Sequence, residues 1–309
     1  MKSKQSLESY ATILLYHGVT AVHSSGIENF SKKHLPVKEF EEQMEYLAQN
    51  ANVITLCELV KLLQGNVKVP QHTVSVTFDD SFKNIRKIAL PILKRYQIPA
   101  TFFVTIGLIG TSRRSWADLV EHFINKTALD YLEVPISGDI KKFELKTNKN
   151  KIMAIVEIKS MLKMMKPIER DSFVSSLECI TQVVDKSNDV INYENLTWDD
   201  VCELDAPPNY VVGGHTVNHK IMSYLSEDEL NYEICECKNN LEAHLGHPID
   251  QFAYPEGQPE HFNEKVISVL KKEGIRICPS AVHGVNYHGT NPFYLKRVMV
   301  GFMGIKFPF

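Results

Sequence analysis

The chain has 309 residues, with 34 Lys plus Arg against 37 Asp plus Glu and a formal net charge of -3. That balance excludes a nucleic-acid partner, because such binding draws on clustered Lys and Arg, and basic runs such as Lys141-Lys142 and Lys271-Lys272 are two residues long. With 44% hydrophobic and 23% charged residues, the composition suits a large buried core and excludes a disordered or fibrous class.

Short β-rich runs alternate with amphipathic stretches, which predicts βα units around a mostly parallel sheet. Thr12 to Tyr16 reads as a buried first strand. Val37 to Asn50 carries Val37, Phe40, Met44 and Leu47 at the spacing of one helix face. Extended Asn52 to Leu56 follows, then a helix from Glu58 to Gln64. Thr73 to Phe78 is a strand ending in Asp79-Asp80. The helical run from Phe82 to Tyr96 contains Pro91, which is expected to kink or break it. Pro99 to Val104 is the next strand, and Tyr210 to Gly214 is a strand that precedes His215. A Ser-x-x-Glu capping pattern at Ser226 and Glu229 opens a helix to Leu245. Asp250 to Tyr254, Ile275 to Cys278 and Tyr294 to Val300 read as strands, with a helix from Asn263 to Glu273 among them.

The stretch from about 112 to 195 breaks this rhythm. It holds helical segments at Trp116 to Lys126, Lys151 to Met165 and Ile168 to Val184, and a polar patch from Gly138 to Asn150. It reads as a mostly helical insertion in a single domain spanning 1–309, with Met161, Met164 and Met165 as core filler. No window reaches the roughly 18 apolar residues of a membrane span. The opening Met1-Lys2-Ser3-Lys4-Gln5-Ser6 does not read as a signal peptide. Six cysteines without a Cys-x-x-Cys pair fit reduced thiols. A cytoplasmic location is expected.

Metal-compatible side chains stand where strands meet loops, which is where α/β barrels carry their active sites. Asp79-Asp80 ends one strand, and the pair can divide two jobs, ligation and proton acceptance, if the chain turns there; either residue also reads as a helix N-cap. His215-Thr216-Val217-Asn218-His219 follows another strand, and its two histidines share a face if the segment is helical. Two imidazoles and one carboxylate make a three-ligand zinc site with a place left for water. Such water falls to a pKa of roughly 7 and becomes a nucleophile at neutral pH.

Thr77-Phe78-Asp79-Asp80 and His215-Thr216-Val217-Asn218-His219 resemble the first two motifs of the polysaccharide deacetylases, carbohydrate esterase family four, also called the NodB-homology domain. Leu14-Leu15-Tyr16-His17-Gly18-Val19 is similar to the opening of one branch, and Phe252-Ala253-Tyr254-Pro255-Glu256-Gly257 to its third motif. Leu196 to Val201 resembles the segment leading to its histidine motif. The resemblance implies an α/β fold, a distorted (β/α)7 TIM-like barrel with a helical insertion. It implies Asp80, His215 and His219 as ligands of a divalent metal, usually Zn2+, and Asp79 as the general base acting on metal-activated water. It also places Tyr254, Pro255 and Glu256 at the substrate or the oxyanion, through a backbone N–H near Glu256.

Three departures qualify the match. Ser81 stands where glycine is usual, and Ala253 where an arginine usually steadies the catalytic aspartate; Arg297 resembles the substitute used by this branch, and also reads as a surface ion pair. The C-terminal histidine motif that supplies the general acid is missing. His17 is the leading replacement, with His283 and His288 behind it. The function implied is metal-dependent hydrolysis of the N-acetyl group of an amino sugar in glycan or polysaccharide biosynthesis. The missing leader points to a nucleotide-linked, lipid-linked or soluble intracellular sugar, a lipid-linked one bringing peripheral membrane contact. The alternatives are an inactive carbohydrate-binding protein on the same fold, and a deacetylase of acetyl esters.

Overall fold

The computed structural model describes residues 9–22, 26–136, 139–184 and 191–309. β1 (Tyr10–Tyr16) is buried throughout except at Tyr10, the pattern of a strand covered on both faces. β2 (Gly18–Thr20) and β3 (His34–Pro36) form a short parallel pair. α1 (Val37–Asn50) buries Phe40, Met44 and Leu47, the face read from the spacing. β4 stops at Asn52–Val53 because Thr55 caps α2 (Leu56–Gln64) through a reciprocal bond pair with Glu58. The predicted extension to Leu56 thereby gives way to a capping box.

β5 (Thr73–Asp79) is wholly buried. Past it the backbone stays helical through Pro91, with its bonding altered just before the proline. A wide turn, Ile85–Ala89, precedes α3 (Leu90–Tyr96), and the Leu90 N–H reaches back to the Ile85 carbonyl. Pro91 then lies in the first turn of α3, where a missing amide hydrogen costs little. β6 (Ala100–Val104) follows. Next come α4 (Trp116–Lys126), β7 (Tyr131–Ile136), β8 (Asp139–Glu144), α5 (Asn148–Lys163) and α6 (Pro167–Thr181). After α7 (Trp198–Leu204) and β9 (Tyr210–Gly214), the predicted helix to Leu245 is α8 (Glu227–Asn231), a π-helical turn at Tyr232–Glu236, and α9 (Cys237–Leu245). α10 (Glu264–Lys272), β10 (Asn286–Tyr287) and β11 (Val298–Met299) complete the set.

The chain forms two compact units. One comprises residues up to Ala21, Lys32–Thr111 and Asn195–Phe309; the other comprises Val22–Ser31 and Ser112–Glu194. In the first, β1, β5, β6 and β9 pair in parallel, and β11 joins the free side of β1. Beyond β9 the wall continues as single bridges, Gly214 with Phe252 and Gln251 with Ile277. The amides of Cys278 and Ser280 then donate to the carbonyls of Pro292 and Leu295, on the segment running into β11. Seven wall segments thus close a distorted (β/α)7 barrel. The distortion has a cause: Pro255, Pro279 and Pro292 lie in this half, and proline cannot donate to a ladder. The predicted strands at Asp250–Tyr254, Ile275–Cys278 and Tyr294–Val300 shrink accordingly.

In the second unit, β7 and β8 form an antiparallel hairpin across the stretch read as a polar patch. Its inward residues Leu132, Val134 and Phe143 pack with Val120, Phe123, Ile155, Ile158 and Leu177 into one core. Met161 and Met165 pack at its edge, but Met164 is 76% exposed and is not core filler. No helix among the described residues is long and apolar enough to cross a membrane.

Candidate active site

All the candidate chemistry lies in the barrel unit. Asp79 is the last residue of β5, and Asp80 turns out of the strand in the left-handed region at φ 71°. That reversal lets two neighbouring carboxylates reach one place instead of opposite faces. Because the strained residue is Asp80, position 81 has no need of glycine. Ser81 uses its side chain to fix the turn: its hydroxyl donates to the Thr105 carbonyl (3.0 Å) and accepts the Thr105 amide (2.9 Å) at the end of β6. The carboxylates turn to Lys33, Arg297 and the histidines instead of capping the helix that follows.

His215 directly follows β9. Gly214 permits this placement, since a Cβ built there would lie 2.2 Å from the Phe252 ring. The segment from His215 to His219 is a loop, not the helix that the i,i+4 reading assumed, with Thr216 and His219 at φ 64° and 52°. The two rings still converge, with centroids 4.9 Å apart, because Glu233 gathers the loop. Its fully buried carboxylate accepts the Val217 and Asn218 amides (2.9 and 2.8 Å) and the Asn218 side-chain amide (2.9 Å). Glu233 lies within the π-helical turn, a local widening that frequently marks functional sites.

Asp80, His215 and His219 present one ligand atom each, all within 4.8 Å of one another. The His219 Nε2 lies 3.3 Å, and the His215 Nε2 3.9 Å, from Asp80 Oδ1. The His215 Nδ1 donates to the Ala253 carbonyl at 2.9 Å, which assigns the tautomer and leaves the Nε2 lone pair facing the carboxylate. One carboxylate and two imidazoles match the donor set of a divalent metal with an open position.

Asp79 lies beside this cluster, with its Oδ2 3.9 Å from the His215 Nε2, and is held there by Arg297. Arg297, 1% exposed, clamps both its oxygens (2.7 and 2.7 Å) and donates further to the Ser280 carbonyl and the Thr77 hydroxyl. This is a two-pronged buried pair, not the surface ion pair of the alternative reading. Burial alone would raise the Asp79 pKa, but the Arg297 guanidinium outweighs it and holds the carboxyl below its usual range. Asp80 is likewise pushed well down, against its own burial, by Lys33 and then His219. His17 stands just past β1; burial lowers its pKa, countered in part by Asp80.

Other expected residues fall elsewhere. The Tyr254 side chain is fully buried, stacked on Phe262 at 4.1 Å, with its hydroxyl donating to the Phe293 carbonyl. The ring and hydroxyl of Tyr254 thus belong to the core, which leaves only the backbone of this residue to serve the site. The turn after it remains at the site's edge, since Glu256, at φ 60°, acts on His219 through its charge; Pro255, in the same turn, has no N–H to offer. His283 is exposed and bridges Arg297 through its backbone, and exposed His288 bonds the Gly65 carbonyl. Three residues at the site escaped the sequence reading: Ser81 as a turn-fixing hydroxyl, Glu233, and Lys33, whose Nζ lies 3.1 Å from Asp80 Oδ2. Lys33 belongs to a two-residue basic run like those dismissed elsewhere, and carried no signal.

A family model described as polysaccharide deacetylase matches residues 66–132 and 168–278, more than half of the chain. A poly-beta-1,6-N-acetyl-D-glucosamine N-deacetylase of Staphylococcus aureus is 30% identical over 166 residues, 48% of this chain and 55% of that protein. Its namesake from Staphylococcus epidermidis is 37% identical over 90 residues, 29% of this chain and 30% of its own length. The chain thus spans about half or less of the length of these curated relatives. Among solved structures, the Streptococcus pyogenes deacetylase PplD in complex with acetate superposes with a TM-score of 0.60 at 18% identity, covering 97% of this chain and 95% of that one. IcaB from Ammonifex degensii gives 0.58 at 20% identity, covering 94% and 92%. The residues matched by the family model span both strand-end motifs and the third-motif turn, and the chain belongs to the polysaccharide deacetylase family.

Proposed function

We propose that the chain is a metal-dependent hydrolase that removes the N-acetyl group from an N-acetylglucosamine-containing glycan, with Zn2+ as its ion. The observation that carries this reading is the division of the aspartate pair: Asp80 faces the two imidazoles while Arg297 holds Asp79 beside them. The names of the staphylococcal relatives support a polymeric substrate in place of the soluble precursor expected from the sequence. When bound, the ion supplies Lewis-acid charge and lowers the pKa of water at the site.

The chain's own groups do the rest. Asp80, His215 and His219 hold the ion. Asp79, kept ionised and immobile by Arg297, accepts the proton of the attacking water. The two-pronged clamp also keeps Asp79 from becoming a fourth ligand. His17, just past β1, is the group we assign to donate a proton to the departing nitrogen. We assign the oxyanion contact to the Glu256 backbone amide, in the strained turn beside His219.

Acetate release from β-1,6-linked N-acetylglucosamine oligosaccharides, measured with and without added Zn2+, tests the reading. Asp79→Asn is expected to slow release by about 100-fold or more with metal content unchanged, whereas Asp80→Ala is expected to lose the metal. Unchanged release from Asp79→Asn would sink the mechanism. Release from O-acetylated sugars alone would move the chemistry to esters.

A further inference from the structure

Lys33 stands on the stretch entering β3, and its side chain and that of Asp80 are largely buried, 16% and 11% exposed. Its ammonium lies over the Phe82 ring, 4.6 Å from the centroid, and Phe82 in turn packs edge-on against His34. The lysine takes Asp80 Oδ2, at 3.1 Å, while Oδ1 faces His219 and His215. The carboxylate is therefore divided between a fixed cation on one oxygen and the imidazoles on the other.

We propose that Lys33 is a positioning residue for Asp80, restricting it to one-oxygen coordination and setting a permanent positive charge behind the metal site. This rests on the reading of Asp80, His215 and His219 as metal ligands. A carboxylate free to use both oxygens would fill the coordination place that hydrolysis needs open. A cation behind the carboxylate also draws charge out of it, so a bound divalent ion keeps more of its own charge for catalysis and is held less tightly. Weaker metal binding and faster turnover thus have one origin. Were Lys33 only to fill space, its replacement would leave metal affinity unchanged or lower it together with turnover.

The test is titration of the metal-free full chain with Co2+, read by visible absorption and by chelator competition, for wild type, Lys33→Met, Lys33→Gln and Lys33→Arg. The two neutral variants are expected to bind Co2+ about tenfold more tightly, equivalent to about 1.4 kcal/mol. Their absorption should be weaker, as suits a higher coordination number, and their acetate release slower. Lys33→Arg should keep the wild-type spectrum and affinity. Circular dichroism reports folding, and Lys33→Gln carries the test where Lys33→Met does not fold. Equal or weaker Co2+ binding in a folded neutral variant, or an unchanged spectrum, overturns the role of Lys33. Wild-type protein that binds no Co2+ overturns the metal reading itself, a distinct result.

Discussion

Arg297 and Asp79 are separated by 218 positions and meet as a buried, doubly bonded pair. Removing one partner of such a pair strands the other's charge, at a cost of about 3–5 kcal/mol. Arg297→Ala should therefore lose both acetate release and stability, read by denaturant unfolding. Arg297→Lys keeps the charge but not the fork, and should unfold closer to wild type while still losing most activity. Wild-type turnover in Arg297→Ala would refute the positioning role. The convergence of Asp80, His215 and His219 was legible because these side chains are chemically distinctive and stand at strand ends. Lys33 and Glu233 were not legible: each has an ordinary side chain for its surroundings, a loop lysine and a helix glutamate, and only tertiary convergence gives it a task.

The π-helical turn at Tyr232–Glu236 shows what periodicity leaves out. The sequence predicts a helix through this stretch, and the backbone is helical, but a one-residue widening goes with a glutamate that binds the His215–His219 loop. Glu233→Ala leaves the buried Val217 amide without an acceptor, at a cost of about 1–3 kcal/mol, and the half-buried Asn218 amide without one as well. Metal affinity should fall by about 10–100-fold in chelator competition; undiminished affinity would remove Glu233 from the site's support. A second contact steadies the strand leading to His215. Asp205 accepts the Val212 amide on one oxygen and pairs with His247 Nε2 at 2.6 Å on the other. That hydrogen bond to Asp205 raises the His247 pKa. The stabilisation is fully present below the unfolded value of about 6.5 and is lost as pH rises through the higher folded value. The Tm advantage of wild type over His247→Gln should therefore shrink from pH ~6 to pH ~9; an advantage that grows with pH would reverse the assignment. The hairpin of β7 and β8 escaped because Pro135 interrupts β7 and because β8 buries only Phe143 while leaving Ile140 exposed, so neither segment shows a clean alternation.

At the scale of the whole molecule, the parallel half of the barrel was readable because its strands are unbroken apolar runs, and the bridged half was not, because prolines cut its ladders short. An ion bound only by the folded chain stabilises it by about 2.7 kcal/mol at a hundredfold excess over Kd. Chelation should lower Tm and Zn2+ restore it, while Asp80→Ala should show no metal-dependent shift; a metal-dependent shift in that variant would place the ion elsewhere. The closure of the wall by the segment carrying Arg297 also orders events during synthesis. A nascent chain that has emerged as far as residue 290 carries Asp79, Asp80, His215 and His219 but not the guanidinium that clamps Asp79. Arg297 must therefore be seated in the wall before Asp79 can serve as an oriented base.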